Sequence, residues 1–295
     1  MATITEPGIY LDYPIANYFA DPCPRPSLTQ SIAKLILNQS PAHAQYAHPR
    51  LRPVGVEQEE EHKKEKTIGD VAHKMILGRG KEVVVIDAPD WRTKIAKEMR
   101  DTAIEAGKVP ILTAHATQSM LIVDAFQKFM VDHEVGPLHG KSEVVIAWQE
   151  DGFWFRSMID LLSDDGLIVT DLKTTGMAMP PQEIGRRIDE NGWDVQASMI
   201  ERGLAKLLPD GAGKRTFRFI SIEQNPPYGI VVNELPESVM TIGRRKLDYA
   251  IRIWCACLDA MHFPCYPPVV NRPEIPQWAE VRWMEREQTL HAETL

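Results

Sequence analysis

Cysteine is scarce, at four in 295 residues. That is too few for a disulfide framework in a chain this long, so a reducing cytosol is the expected compartment. Long apolar runs are missing as well. None approaches the roughly 18–20 residues of a membrane-spanning helix, and Met1–Pro7 has neither the basic opening nor the apolar stretch of a secretory signal. Positive charge is in deficit, with 33 Lys and Arg against 41 Asp and Glu and a net charge of −8. This excludes a wholly electrostatic, histone-like binder of nucleic acid but leaves room for a local basic groove. No repeat of solenoid period and no low-complexity segment is present. A glycine-rich phosphate loop is also lacking, because Gly211-Ala212-Gly213-Lys214-Arg215 has neither the spacing nor the strand-to-helix setting. No Ser–His–Asp or Cys–His grouping stands out, so covalent catalysis has no support. What is there is a globular composition, 44% hydrophobic and 25% charged, in a length that suits one large domain with its own core.

The first fifty residues are rich in proline and aromatics and carry one helix signal. Ser27 is placed to cap a helix through about Leu37, with Ser40-Pro41 ending it. Gln58 to Lys66 is a dense charge run, the composition of a solvated helix face or loop. Thr67 and Asp70 resemble a capping box, and Ile68, Val71, Ala72, Met75 and Ile76 form an apolar helical stripe. At 100° per residue His73 stands about 130° from the centre of that stripe, so it faces something other than its neighbours' core. Asp90 to about Ala106, closed by Gly107, and about Ala114 to His133 read as two more helices.

The pattern then alternates. Ser142–Trp148, Phe153–Leu161 and Leu167–Lys173 read as strands, joined by short turns at Gln149–Gly152 and Ser163–Gly166. Turns that short require antiparallel neighbours, which makes a three-strand meander. Beyond Pro180-Pro181 come a helix at about Trp193–Leu208, strands at about Thr216–Gln224 and Tyr228–Asn233, and a long helix at about Pro236–Met261. The predicted class is α/β, a mixed sheet whose meander is flanked by helices. One domain is expected over residues 1–295: a helical part to about 135, the meander and its helices over about 136–268, and a tail over about 269–295.

The chemistry is expected at the meander. Asp171 and Lys173 share a strand face while Leu172 points to the other, and Asp160, ending the neighbouring strand, can lie opposite Asp171. Two carboxylates held together repel unless a cation sits between them, and hard divalent ions take such oxygen ligands. A lysine beside the pair can hold or deprotonate a water, while the metal lowers that water's pKa and neutralises charge on a phosphate. Asp-x-Lys alone is common on surface strands. Here it follows the apolar run Leu167-Ile168-Val169, a second strand supplies another acid, and Glu143 early in the first strand offers a third.

Gly152-Phe153-Trp154-Phe155-Arg156-Ser157-Met158-Ile159-Asp160, followed by Asp171-Leu172-Lys173-Thr174-Thr175, resembles the core of the PD-(D/E)XK nuclease superfamily. More closely it resembles the phage and prophage exonuclease VIII (RecE-type) nuclease domain, which also begins with elements like Gly8-Ile9-Tyr10, Pro26-Ser27-Leu28-Thr29-Gln30-Ser31 and Ser40-Pro41. The likeness runs from about Gly8 to Pro268. It implies a restriction-endonuclease-like core and a Mg²⁺-dependent exodeoxyribonuclease of phage recombination type, with Mn²⁺ as substitute, degrading duplex DNA from its ends. By the same resemblance His73, Asp160, Asp171 and the backbone carbonyl of Leu172 hold the metal. Asp160, Asp171, Lys173, Glu143 and Gln196 form the catalytic set. A homo-oligomer and a single-strand annealing protein are the implied partners, in the cytoplasm of a bacterial host. Three positions depart from the pattern: Ile159 replaces the usual proline, Met158 a frequent basic residue, and Ile200 the aromatic that follows the glutamine.

Arg156, on the same strand face as Met158, is the expected substitute for DNA contact. Arg186-Arg187, Lys214-Arg215 with Arg218, and Arg244-Arg245-Lys246 are candidate groove residues, and Trp193 or Tyr228 is available to stack on a frayed base. Some members of the superfamily carry an iron–sulfur cluster on one early and three late cysteines. Cys23, Cys255, Cys257 and Cys265 follow that order, but Cys255 and Cys257 fall about 200° apart on a helix, which argues against a cluster. Two other readings remain on the same fold, an endonuclease and a catalytically silent nucleic-acid-binding scaffold.

Overall fold

The computed structural model describes residues 3–56, 64–133 and 138–293. The charge run between Gln58 and Lys63 lies outside the described residues. Within them, residues 1–264 form one compact unit and residues 265–295 a second.

The first unit opens with strand β1 (Gly8–Tyr10), helix α1 (Ile15–Phe19) and the two-residue strand β2 (Ser27–Leu28). Helix α2 (Gln30–Asn38) is capped by Thr29, whose hydroxyl accepts from Ile32 N at 3.4 Å. Ser27, the expected cap, is instead a strand residue. Ser40 does end the run, and it also caps α3 (Pro41–Ala47), where proline occupies the first turn without wasting a donor. Helix α4 (Lys64–Leu77) begins ahead of Thr67, so Thr67 lies inside the helix and is not its cap. Strand β3 (Val83–Ile86), helix α5 (Lys94–Glu105, capped by Thr93) and strand β4 (Val109–Leu112) make a small crossover unit whose strands pair in parallel. Neither short strand was read from the sequence. Helix α6 (Thr113–Asp132) follows.

The meander comes next: β5 (Lys141–Glu150), β6 (Phe153–Leu162) and β7 (Ile168–Thr175). Asp151 and Gly152, at φ 49° and 80°, supply the two left-handed residues that a two-residue hairpin matching the strand twist demands. After α7 (Ile184–Asn191) and α8 (Trp193–Leu207) the chain adds β8 (Thr216–Glu223) and β9 (Ile230–Glu234), then α9 (Glu237–Ala260). The sheet has seven strands in the order β1-β5-β6-β7-β8-β9, with β2 attached to β6. The β7–β8 pair is parallel and its other path neighbours are antiparallel, so the sheet is mixed.

Both faces are covered, which is why the strands read as nearly continuous apolar runs. On one face Val144, Ile146, Trp148, Phe155, Val169 and Phe219 pack with residues of α2, α8 and α9. On the other, Leu172, Ile220 and Ile222 pack with Ile68 and Ala72 of α4 and Ile122, Val123 and Phe126 of α6. Helices α4 and α8 therefore approach β7 from opposite sides. Among the described residues no helix is long and apolar enough to cross a membrane. The second unit contains α10 (Gln277–Glu293), with Trp278 and Trp283 exposed.

Candidate active site

The site forms where the meander comes apart. Strands β6 and β7 pair only at Leu161–Thr170 and Leu162–Val169. One more step would pair Asp160 with Asp171, and there the ladder ends. Leu172 N donates to Asp160 Oδ2 at 2.9 Å. Bond geometry then keeps that oxygen within about 8 Å of the Asp171 carboxyl carbon. The ladder is also broken on the other side of Asp160. Ser142 pairs with Leu161 and Val144 with Ile159, but Glu143 between them is left-handed, φ 52°, and drops out of register opposite Asp160. A left-handed non-glycine residue inside a strand is costly, and such strain collects at functional sites.

Two helices supply the remaining groups. From α4, His73 Nε2 lies 2.9 Å from Asp160 Oδ2. The off-stripe position of His73 is thus aimed at the sheet's open seam and not at bulk water. Gly69, one turn earlier, makes that reach attainable, because a Cβ there would lie 2.2 Å from Thr174 Oγ1 on β7. From α8, buried Gln196 joins two strand residues: its Nε2 donates to Asp171 Oδ1 at 2.5 Å and its Oε1 accepts from Lys173 Nζ at 3.0 Å. Lys173 Nζ also lies 2.6 Å from Asp171 Oδ2, a charge-assisted contact that opposes the effect of burial on this carboxyl. The Lys173 ammonium stands 5.6 Å from the centre of the Phe219 ring, which limits the water around it. As β-strand alternation requires, Leu172 turns away into the core beneath α4 and α6.

The electrostatics follow from burying two acids together. Burial, with the charge of Asp160 second, pushes the Asp171 carboxyl up to about 6 against the opposing pull of Lys173. Burial acts on Asp160 in the same sense, but the hydrogen bond and charge of His73, then Lys173 and the Leu172 N–H, hold it below the usual carboxylate range. His73 is raised: burial alone would lower it, and Asp160, Asp171 and Glu143 outweigh that. Glu143 is raised by burial, opposed by His73 and reinforced by Asp160.

Among the described residues no three His, Cys, Asp or Glu side chains converge as a ready-made metal cluster. Imidazole and ammonium groups occupy the carboxylate oxygens instead. Asp160 and Asp171 nonetheless supply carboxylate oxygens of the kind a hard divalent cation takes, with the His73 imidazole beside Asp160, so a cation would have to displace the ammonium and imidazole now on them.

Two of the expected DNA-contact residues, Arg156 and Trp193, are buried. Arg156 is 3% exposed. Its NH1 holds Asp21 Oδ1 at 2.7 Å, and Asp21 in turn meets His48 Nε2 at 3.3 Å and accepts from Ser27 Oγ at 2.6 Å. Arg156 is thus part of a sealed network that ties the N-terminal segment to β6. Trp193 is buried, stacked on Phe219 with centroids 5.3 Å apart, and cannot meet a base. Arg186, which is well exposed, and Arg187 lie 2.6 and 3.6 Å from Glu190 on α7. Arg215 is buried against Glu201, and Arg218 and Arg244 pair with Glu234 and Glu237. Tyr228 packs beside the Ile220–Ile222 cluster. Sequence reasoning passed over Gly69, whose signal is a glycine one helical turn ahead of a candidate ligand. It also passed over Lys34 of α2, whose ammonium is close enough to Lys173 and Asp171 to feel their charges.

No protein-family model matches the chain, and no curated protein matches it in sequence. Among solved structures, a crystal structure described as a "putative exonuclease" from Eubacterium rectale has a TM-score of 0.57 at 12% identity, covering 85% of this chain and 91% of its own. At that identity the likeness is one of fold, a mixed α/β sheet with helices on both faces. A second structure, SSO0001, reaches a TM-score of 0.26 at 14% identity over 63% of this chain and 86% of its own, too low to carry an argument.

Proposed function

We propose that this chain is a divalent-metal-dependent deoxyribonuclease on a restriction-endonuclease-like, PD-(D/E)XK core, acting as an exonuclease on the ends of duplex DNA. The observation that carries this reading is the pairing of buried Asp171 with part-buried Asp160 at the opening of the β6–β7 ladder, with Lys173 and Gln196 on one acid and His73 on the other. The resemblance in fold to a structure named as an exonuclease supports it.

Asp160, Asp171, His73 and the Leu172 carbonyl would hold Mg²⁺ or Mn²⁺. The cation would neutralise charge building on the phosphate and lower the pKa of the attacking water. The chain's own residues do the rest. Gln196 fixes the directions of Asp171 and Lys173 together, so neither can rotate alone. Lys173 positions the attacking water or, once it has released its own proton to solvent, receives the water's, and the Phe219 ring beneath it limits competing solvent. Asp171, raised to about 6, is ionised and ready for a cation at neutral pH. Glu143, across from Asp160, adds negative charge that keeps His73 engaged. Phage-type recombination, a single-strand annealing partner and a homo-oligomer extend this reading by resemblance.

The test is digestion of end-labelled linear duplex DNA beside closed circular DNA, with Mg²⁺, with Mn²⁺ and with chelator. Metal-dependent release of mononucleotides or short products from linear DNA alone is the expected result. Nicking of the circle would mark an endonuclease on the same core. DNA binding without cleavage in either metal would mark a silent scaffold.

A further inference from the structure

Between α2, α7, α8 and α9 lies a half-open cavity of about 430 Å³, lined among others by Lys34, Asp189, Glu190, Gly192 and Lys246. That volume lies within the range of small-ligand sites. Its acids are already matched. Lys246 Nζ sits 2.6 Å from Asp189 and 2.7 Å from buried Asp194, and Glu190 is held by Arg186 and Arg187. Lys34 differs from the other wall cation. Its Nζ donates to the Asn191 carbonyl at 3.0 Å and, among the described residues, makes no ion pair with a carboxylate.

The path of Lys34 is built into the backbone. Its methylenes cross Gly192 so closely that a Cβ there would lie 2.5 Å from Lys34 Cδ. Gly192, left-handed at φ 62°, both ends α7 and starts α8. Gln196, which holds Asp171 and Lys173, is one turn further along α8, and residues four apart share a helix face. Gly192, over which the Lys34 chain passes, is thus about 6 Å of helix rise from the residue that organises the acids. Consistent with this, burial first and the charge of Lys173 second lower the Lys34 ammonium, while Asp171 and Asp194 raise it.

We propose that Lys34 and the cavity beside it bind the phosphate adjacent to the scissile one, fixing the register of the DNA strand against the Asp160–Asp171 pair. This rests on the nuclease reading above. An ammonium whose partner among the described residues is a neutral carbonyl gains a full charge partner when a phosphate arrives, and the wall acids, already paired, do not repel the phosphate. Lys34 is a binding and positioning residue, with no role in proton transfer.

The experiment compares Lys34→Met, which keeps the methylenes over Gly192, and Lys34→Arg with the unaltered chain. Duplex DNA binding is measured with Ca²⁺ in place of Mg²⁺ across a salt series, and steady-state cleavage with Mg²⁺. Each phosphate neutralised adds about 0.9 to the slope of log K against log salt on duplex DNA. Lys34→Met is expected to lower that slope by about one contact and to raise KM about tenfold, with kcat falling much less. Lys34→Arg should keep the slope. Lys108→Ala, removing a lysine paired with Glu82 on the crossover unit, serves as the charge control and should leave the slope unchanged. Cleavage by the unaltered chain with an unchanged slope and KM in Lys34→Met overturns the Lys34 site alone. An equal loss of slope in Lys108→Ala would reduce the effect to net charge and overturn it too. No cleavage by the unaltered chain overturns the nuclease reading, and in that case an unaltered slope in Lys34→Met also removes the phosphate site.

Discussion

Replacing Gly69 by alanine isolates the geometry that brings His73 to Asp160. The new Cβ would stand 2.2 Å from Thr174 Oγ1, 3.1 Å from Gln224 Nε2 and 3.4 Å from Thr174 Cβ. Reaching ordinary contact from 2.2 Å requires α4 and β7 to separate by about 1.2 Å locally, because close-packed interiors have little slack. Alanine gains about 1 kcal/mol over glycine in a helix interior, and overpacking costs about 1–3 kcal/mol, so stability should fall by no more than about 2 kcal/mol. The site should suffer far more than the fold, since a misplacement near 1 Å costs on the order of 100-fold in rate. Two readouts separate these effects. Proton NMR of the metal-free protein should show His73, raised in the parent by Asp160, titrating nearer the ordinary imidazole value in Gly69→Ala. Single-turnover cleavage should fall by about two orders of magnitude. Thr174→Ala removes the clashing hydroxyl and leaves a Cβ pair at 3.4 Å, so the double variant should recover most of both losses. Gly69→Ala with an unshifted His73 titration and full rate would refute the close-approach argument. So would a double variant no better than the single.

Lys173→Ala should keep Mn²⁺ and DNA binding yet lose roughly 10²–10⁴-fold in rate, and Lys173→Arg should not rescue it, because a guanidinium does not release its proton. Asp171→Ala should lose cation binding and cleavage together, and calorimetry paired with single-turnover kinetics tells the two patterns apart. Because the Asp171 carboxyl sits at about 6, a cation must displace its proton below that pH. Mn²⁺ affinity should therefore rise as pH increases through about 6, with proton release seen as a buffer-dependent heat. At Asp21, burial opposes ionisation, but His48, Arg156 and Ser27 together hold the carboxyl below its ordinary value. Its stabilising contribution is full above the unfolded pKa and is lost as pH falls through the lower folded pKa. Asp21→Asn suits the left-handed backbone (φ 59°) but strands the Arg156 charge, so it should cost about 3–5 kcal/mol at neutral pH and flatten the acid limb of a pH–melting curve.

The meander could be read from sequence because its turns announce themselves. Asp151-Gly152 is a two-residue reversal flanked by apolar runs, and alternation then places Asp171 and Lys173 opposite Leu172 without further information. The crossover strands Val83–Ile86 and Val109–Leu112 were missed for the opposite reason, since a four-residue apolar run between helices has no period to measure. Arg156 shows the limit of strand alternation. Its parity with Asp160 follows from counting, but whether that face meets solvent depends on Asp21, Ser27 and His48, which lie more than a hundred residues earlier in the chain. Trp193 failed similarly: its position at the start of α8 is local, and its Phe219 partner is not. Glu143 was a candidate by position alone, while its left-handed backbone appears only once the β5–β6 register is known.

The scattered origin of the site also dictates when it can exist. His73 comes from α4, Glu143 from β5, Asp160 from β6, Asp171 and Lys173 from β7, and Gln196 from α8, while β7 is further held by parallel pairing with β8. Parallel pairing of distant segments is late and slow, because the intervening loop must close before any contact repays it. Until residues beyond Glu223 have left the ribosome, β7 therefore lacks its parallel neighbour and the site lacks its frame. Truncated products ending before β8 carry the acids without the frame that aims them. On the proposed nuclease reading, the order in which the strands are made leaves the cutting groups unassembled through most of translation.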